Sequence, residues 1–356
     1  MASTTTLLSN TDHGETSVIS AVHRDIIERN VLTRLDGLSL AALSCTSSYF
    51  YMLSSEDSLW RKICTSVWPS VNHPHVHRLI SAVPNGHRRF FSDSFPLLTP
   101  LEQVRNRNCP TLPSEIISAV DIWYQDKLIF STVLESKTKS GGFLRSPFRV
   151  NLLDPKKIHP VTQVKNGRDG DTWLTISELE ENLILSWIIF DPVTQKSANF
   201  SSISPVSSEK KHWNPGEYEI EYATILGSEQ VEYVECKTVI TCRGLDHGEL
   251  QVKEACLRVK NMDENYLNGK ESLRCLVNAI EFGKRKTRRS GKEGKNMHEE
   301  YLKMKRLRWD KRIKRARVLG IACSGGVALF GVGTVGVGIV GVVYTVVYSF
   351  CTYFAK

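Results

Sequence analysis

The chain has 356 residues, a length that fits two or three domains. Apolar residues make up 41% of the sequence, which excludes a chain that is disordered throughout. The 46 Lys and Arg residues exceed the 38 Asp and Glu residues, giving a net charge of +8, but the excess is local. Residues 284–317 carry sixteen basic and four acidic side chains, whereas residues 1–283 have a net charge of −5. We therefore do not expect a nucleic-acid-binding face on the body of the protein.

The nine cysteines are scattered along the chain, odd in number and without a C-x-x-C pair. The N-terminal sequence has no charged stretch followed by an apolar run of the kind that directs secretion. A disulfide-linked fold is therefore not expected, and the thiols are predicted to lie in a reducing compartment.

Apolar spacing predicts three short helices near the N-terminus, over residues 25–35, 39–53 and 55–67. Asp36 and Gly37 break the first pattern, because glycine accepts the backbone conformation in which helices end. Ser39 is predicted to cap the second helix, and Pro69 follows the third as a stop. Residues 21–70 are thus predicted to form a small helical module.

Six prolines interrupt residues 71–113, so helices longer than two turns are hard to place there. We predict a connecting segment whose apolar residues, among them Phe90 and Phe91, pack onto a neighbouring element. Because this segment separates the helical module from the rest of the chain, we expect two regions that fold independently.

Residues 114–283 show the period-two alternation that is typical of strands. The apolar run 183–190 predicts a central strand buried on both faces. Within residues 217–222, three glutamates alternate with two tyrosines and an isoleucine, which predicts one charged and one apolar face. Further strands are predicted over 231–241 and 250–259, and a closing helix over 273–280. The fold class is therefore α+β, with a helical N-terminal module and an antiparallel, sandwich-like central domain.

Two polar stretches, residues 1–20 and 191–216, are rich in serine and poor in large apolar side chains. Such stretches bury too little apolar surface to offset the entropy lost on ordering. We predict a disordered arm at the N-terminus, and for residues 191–216 we favour disorder over a functional loop.

The C-terminal residues 318–355 contain no charged side chain. A bilayer core needs about 20 residues of apolar helix, and residues 327–347 alone are long enough. We therefore predict a transmembrane helix over 318–350 in a single-pass tail anchor with a cytosolic body. The basic residues 284–317 are expected to bind lipid headgroups, with nuclear localisation as the second choice.

The sequence shows no catalytic constellation. Phosphate-loop, nucleophile-elbow and zinc-protease motifs are absent. His73, His75 and His77 alternate downstream of Cys64, but zinc ligands usually come in paired spacings, so an exposed loop is favoured. Cys236 and Cys242 are read as small buried side chains. We expect no catalytic residue, no cofactor and no metal.

The helical module resembles an F-box. The residues that carry the likeness are Ile27, Val31-Leu32-Thr33-Arg34-Leu35, Leu38-Ser39-Leu40, Leu43-Ser44-Cys45 and Leu59-Trp60-Arg61-Lys62-Ile63-Cys64. Trp68-Pro69-Ser70, Ser118-Ala119-Val120-Asp121-Ile122 and Ser146-Pro147-Phe148-Arg149-Val150 extend the resemblance to a family of plant F-box proteins over about residues 20–283.

This resemblance implies a non-catalytic receptor subunit of a Skp–cullin–F-box ubiquitin ligase, which binds a Skp-type adaptor and, through it, a cullin. The implied partners also include a protein substrate, whose identity the sequence does not give. The residues expected to form or support the adaptor-binding surface are Ile27, Val31, Leu32, Leu35, Leu38, Leu40, Leu43, Leu59 and Trp60.

The alternative is a membrane-tethered binding or scaffold protein whose F-box-like module does not engage a cullin ligase. The Leu-Pro pair that opens many F-boxes is absent, and His23-Arg24 lie near its place. A nucleic-acid binder is a third possibility and would require residues 284–317 to act free of lipid.

Overall fold

The computed structural model describes residues 23–100, 111–153, 161–164, 174–212, 214, 216–227, 233–245, 248–287 and 292–330, with side chains given as far as residue 317. The chain divides into two compact units, residues 1–295 and residues 296–356. The predicted N-terminal arm, residues 1–20, lies outside the described residues.

The helices of the first unit form two groups, one before and one within the β-rich region. The α-helices are α1 (Arg24–Ile26), α2 (Gly37–Ser44), α3 (Ser48–Ser54), α4 (Asp57–Val67), α5 (Pro74–Ser81), α6 (Gly86–Ser94), α7 (Gly141–Arg145), α8 (Ile176–Asn182) and α9 (Gly269–Phe282), and α10 (Glu293–Phe330) begins there and continues into the second unit. A π-helical turn (Ile27–Val31) and two 3₁₀ turns (Leu32–Arg34 and Pro69–Asn72) complete the helical structure of the described residues.

Within the described part of the chain, all strand pairs are antiparallel and form three sheets. The strands are β1 (Leu97–Thr99), β2 (Glu115–Tyr124), β3 (Lys127–Lys137), β4 (Arg149–Asn151), β5 (Val161–Gln163), β6 (Leu183–Asp191), β7 (Lys196–Asn199), β8 (Ser207–Lys210), β9 (Glu217–Gly227), β10 (Tyr233–Leu245), β11 (Glu249–Asn261) and β12 (Lys284–Lys286). One sheet has the order β3-β2-β6-β7, and a larger one has the order β11-β10-β9-β8 with β4 and β5 both on the far edge of β11. β1 and β12 pair separately.

The four-stranded sheet is the middle layer of the unit. On β2 and β6, side chains such as Val120 and Trp187 face the larger sheet in one apolar core. Their neighbours Ile117, Ile188 and Phe190 face the N-terminal helices in a second core. The predicted central strand, buried on both faces, is thereby confirmed in β6.

A buried polar contact joins the helical layer to this sheet. The Asp121 carboxylate on β2 accepts hydrogen bonds from the Ser70 backbone N–H (3.0 Å), from Ser70 Oγ (2.6 Å) and from Ser131 Oγ (2.6 Å). Burial raises the pKa of the Asp121 carboxyl, and these hydrogen bonds oppose that shift. Beside it, Trp68 Nε1 donates to Ser186 Oγ on β6 at 3.1 Å.

The shared core contradicts the expectation of two independently folding regions. Phe90 on α6 stacks on Phe190 of β6, with ring centroids 5.3 Å apart and planes 6° from parallel. The described residues 71–100 of this segment therefore pack onto a neighbouring element as predicted, but they also form α5 and α6, each slightly longer than two turns. Pro74 occupies the first turn of α5, where its missing N–H costs nothing, and so starts the helix.

Several strand predictions are confirmed. Tyr218, Ile220 and Tyr222 on β9 are buried in the core, while Glu217, Glu219 and Glu221 pair with lysines on the other face. Helix α9 is the predicted closing helix. The serine-rich residues 191–216 are the exception: they contain β7 and β8 and are not a disordered loop. The serine side chains of this segment form hydrogen bonds inside the protein; for example, Ser201 Oγ donates to the carbonyl of Leu185 at 2.9 Å.

The predicted single-pass tail anchor requires correction. Within the part of the chain that the structure describes, no helix combines the length and the apolarity needed to cross a bilayer. This finding overturns the membrane localisation drawn from residues 318–350. Residues 331–350 of that predicted span lie outside the described residues.

The first prediction concerns the Asp121 contact. Asp121→Ala should lower the free energy of unfolding by about 3 kcal/mol, because it leaves a buried N–H and two hydroxyls without their acceptor. Chemical denaturation of the full chain measures this. Ser118→Ala on the same strand is the matched control, since Ser118 Oγ is buried and has no hydrogen-bond partner among the described residues, so its loss should change stability little. Equal effects of the two substitutions would contradict the proposed role of Asp121.

Candidate functional site

The helical module begins with an irregular helical stretch. Residues 24–34 pass from α1 through a π-helical turn to a 3₁₀ turn, which ends where Leu35 becomes extended. This winding places Ile27 and Leu32 in the core and leaves Val31 exposed. The prediction of one regular helix over 25–35 is therefore only partly right.

Side-chain caps divide the rest of the module. Asp36 Oδ1 accepts the N–H of Ser39 at 2.8 Å and caps α2, so Asp36 takes the capping role predicted for Ser39. The predicted second helix breaks after Ser44, because Ser47 caps a new helix, α3, by accepting the N–H of Phe50. Ser and Asp favour such positions because their side chains satisfy helix N–H groups.

The core of the module is completed from outside it. Trp60 on α4 donates from Nε1 to the carbonyl of Ser54 at 2.7 Å, and its ring lies 5.3 Å from that of Phe91 on α6. A Cβ at Gly37 would lie 2.2 Å from the Phe91 ring, so this glycine allows α2 to approach α6. The packing expected of Phe90 and Phe91 is confirmed, although α6 lies beyond the predicted module.

A second contact fixes α4 to α6. The Asp57 carboxylate accepts the backbone N–H of His87 at 3.0 Å and lies 2.7 Å from His87 Nδ1. Cys64 Sγ donates to the carbonyl of His87 at 3.3 Å, and burial raises the pKa of this thiol. Cys64 is thus a packing residue.

The alternating histidines belong to a helix and not to an exposed loop. His75 and His77 lie on α5, and His73 precedes it at the N-cap. His75 Nδ1 contacts the Glu135 carboxylate of β3. Among the described residues, no group of three or more His, Cys, Asp and Glu side chains could hold a metal ion.

Comparison with known proteins identifies the module. An F-box-like domain matches residues 29–66. The F-box protein At3g44326 of Arabidopsis thaliana is 40% identical over 345 residues, covering 93% of each chain. The chain belongs to the F-box protein family. The probable F-box protein At2g36090 and the F-box protein At2g27310, both from Arabidopsis thaliana, are 38% and 37% identical and cover 86% and 82% of this chain and 89% and 87% of their own.

No solved structure matches this chain. F-box proteins are in general non-catalytic substrate adaptors of Skp–cullin–F-box ligases. The family match and the three relatives confirm the resemblance to plant F-box proteins that the sequence indicated.

The structure separates the nine residues predicted for adaptor binding. Five of them are buried in the F-box core: Ile27, Leu32, Leu40, Leu59 and Trp60. Leu35 and Leu43 are half-buried and pack against that core. Val31 and Leu38 alone are exposed, with 46% and 36% of their surface accessible.

Three further exposed apolar side chains accompany Val31 and Leu38 in this region. Ile26 on α1 and Tyr51 and Met52 on α3 were missed. For Tyr51 and Met52 the reason is the break of the second helix after Ser44, which turns α3 differently from a continuous helix. We refer to Ile26, Val31, Leu38, Tyr51 and Met52 as the apolar patch. Helix α2 explains part of it: leucines and alanines occur all around the helix, so one side stays uncovered when Leu40 enters the core.

The second prediction tests the close approach at Gly37. Gly37→Ala should lower the free energy of unfolding by about 1–3 kcal/mol, because the new methyl group displaces the Phe91 ring. Gly141→Ala is the matched control: Gly141 is also the first residue of a helix behind a capping serine or aspartate, but its Cβ would meet nothing within 4 Å. Urea denaturation of both variants should show a loss only for Gly37→Ala. A Gly37→Ala protein as stable as the control would disprove the contact.

Proposed function

We propose that this chain is a substrate-recognition subunit of a Skp–cullin–F-box ubiquitin ligase and that the apolar patch binds the Skp-type adaptor. The proposal rests on one observation: the apolar side chains of the F-box fall into a buried set and an exposed set. One set closes a core with Trp60, while the patch of Ile26, Val31, Leu38, Tyr51 and Met52 stays exposed. A domain whose family docks onto an adaptor needs such an outward apolar surface.

The patch is concentrated in one region of sequence. Eleven large hydrophobic side chains are exposed among the described residues, and the five of the patch fall between positions 26 and 52. Scattered exposed leucines are ordinary, whereas exposed apolar side chains that gather on one surface mark interaction sites, and we propose that these five do so. Burying one such side chain is worth about 1.5–3 kcal/mol, so a few of them suffice for a stable complex.

The buried residues of the predicted site have a supporting role. Leu32 and Trp60 are almost fully buried, so their substitution would damage the fold before it reached a docking surface. Val31 and Leu38 are exposed, so substituting them tests the adaptor contact without removing a core side chain.

The rest of the first unit serves as the substrate-bearing platform in this proposal. The helical layer shares a core with β2 and β6, and the Asp121 carboxylate ties the two together. An adaptor bound at the helices would therefore hold the β-rich body in a fixed orientation. Ubiquitin transfer to a bound substrate benefits from such a geometry, because effective concentration depends on a defined reach.

A second candidate is a binding or scaffold protein that engages no cullin ligase. The irregular winding of residues 24–34, at the place where the Leu-Pro opener is missing, favours it. The two candidates differ in one measurable property, which is adaptor binding by the unmodified chain.

The third prediction addresses adaptor binding. The double variant Val31→Glu/Leu38→Glu of the full chain should bind a purified Skp-type adaptor at least a hundredfold more weakly, because two apolar contacts are lost and 1.4 kcal/mol corresponds to a factor of ten. Val193→Glu is the matched control, since Val193 is 62% exposed in the turn between β6 and β7. It should bind like the unmodified protein.

Equal unfolding midpoints of the two variants would establish that the fold is intact. Unchanged adaptor affinity of the double variant would reject the patch. If the unmodified chain does not bind the adaptor at all, the scaffold candidate replaces the ligase candidate.

A further inference from the structure

The larger sheet carries a row of cations on the face turned away from its core. Arg258 on β11 lies directly opposite Arg149 on β4 and Lys237 on β10. Residues paired in this way across antiparallel strands share a face, and like charges at such positions repel each other. Each cation of the row therefore needs a counter-charge.

Three cations near Arg258 have a carboxylate as their counter-charge. Arg149 pairs with Glu254 at 2.9 Å, Lys237 with Glu221 at 2.6 Å, and Lys260 with Glu264 at 3.1 Å. Arg258 differs. Among the described residues its guanidinium donates to Cys256 Sγ at 3.3 Å and to the hydroxyl oxygen of Tyr266 at 3.2 Å, and it has no carboxylate partner.

Tyr266 lies between two cations. The Arg258 guanidinium carbon is 5.7 Å from the centre of its ring, and Lys260 Nζ is 4.9 Å from it. The hydrogen bond from Arg258 lowers the pKa of the Tyr266 hydroxyl, with Lys260 adding to the effect. The site thus stabilises negative charge at the oxygen of Tyr266.

The phenol is also accessible. Tyr266 is 45% exposed and follows a turn at the end of β11, in which Asn261 Oδ1 accepts the N–H groups of Asp263 and Asn265. An enzyme can reach a side chain that stands on a surface turn of this kind.

We propose that Tyr266 is a phosphorylation site whose phosphate is bound by Arg258 and Lys260. In this reaction a tyrosine-directed protein kinase transfers the γ-phosphoryl group of ATP to Tyr266 Oη. The bond from phosphorus to the oxygen that leaves with ADP breaks, the Oη–P bond forms, and the phenolic proton is released. The product brings a charge of about −1.5 to −2 and three acceptor oxygens to Arg258, the cation of the row that has no carboxylate partner among the described residues.

The modification would change the surface around it. Phosphate oxygens form short, charge-assisted hydrogen bonds with guanidinium, and they would compete with Glu264 for Lys260. A cationic position at the end of β11 would thereby become anionic. The inference is independent of the proposed ligase role, because it needs only the described contacts of β11 and the turn after it.

Tyr51 provides an internal comparison. It is 54% exposed, and a guanidinium, that of Arg88, also lies over its ring at 4.8 Å. The Arg88 donors are directed to the hydroxyls of Ser55 and Ser44. Among the described hydrogen bonds, Arg88 therefore makes none to the Tyr51 hydroxyl, whereas Arg258 already donates to that of Tyr266.

The fourth prediction tests the site in cells. The full chain is expressed in plant cells with a tyrosine-phosphatase inhibitor, and phosphate at each tyrosine is quantified by mass spectrometry. Tyr266 should carry at least tenfold more phosphate than Tyr51. Occupancy at Tyr266 no higher than at Tyr51 would overturn the proposal.

A second measurement tests the binding of the phosphate itself. The full chain is phosphorylated in vitro with a tyrosine kinase and ATP, and its phosphorus NMR signal is titrated. The second pKa of the phosphate should lie below the ordinary value of about 6 in the unmodified chain and return towards it in Arg258→Gln and in Lys260→Gln. Two substitutions are used so that one folding failure leaves the other as the test. A phosphate pKa that neither substitution changes would also overturn the proposal.

Discussion

The carboxylate of Asp121 is the contact on which the arrangement of this protein depends. It lies inside the molecule between a turn of the helical layer and the middle sheet, and it takes the N–H and hydroxyl of Ser70 together with the hydroxyl of Ser131. A buried carboxylate is costly unless its oxygens are occupied by donors. Because two of these donors come from the helical layer, the buried carboxylate keeps its hydrogen bonds only when the helical layer is packed against the sheet. The stacked pair Phe90 and Phe190 adds an apolar contact between the helical layer and β6.

The packing of the helices against the sheet also determines how the core of the F-box is completed. The module cannot complete its core alone, since Phe91 from α6 closes it against Trp60 and Gly37. Its inner leucines are buried in that core, while the side chains of the apolar patch remain exposed. One short sequence thereby forms both a core and an exposed apolar surface. It also means that an adaptor bound at the helices would be mechanically connected to the β-rich body through packed side chains and not through a linker.

Much of this fold can be predicted from the sequence where a single periodicity decides the environment. The run of residues 183–190 is apolar at nearly every position, and a strand buried on both faces is its simplest explanation. The alternation in β9 similarly places tyrosines inward and glutamates in ion pairs. The likeness to the F-box family that these sequence motifs indicated is confirmed by the comparisons.

Other features depend on contacts distant in sequence and could not be predicted. The break between α2 and α3 comes from Ser47, one of many serines that could cap a helix. From the sequence, Gly37 is predicted to break a helix. In the structure, its missing side chain leaves room for the ring of Phe91, more than fifty positions later. The serines of residues 191–216 look like a disordered loop until Leu185 supplies the carbonyl that Ser201 needs. For the same reason the exposed apolar residues could not be separated from the core leucines by spacing alone.

The central claim is that helices and sheet form one cooperative unit, which presents the apolar patch outward. Native-state hydrogen exchange of the full chain, with and without a Skp-type adaptor, tests it most directly. The account predicts that amides of α4 and α6 open with the same free energy as those of β2 and β6. It also predicts that the adaptor protects residues 26–38 and 48–54 but not β10 and β11. Helices that open well below the free energy of the sheet, or adaptor protection confined to the sheet, would contradict it.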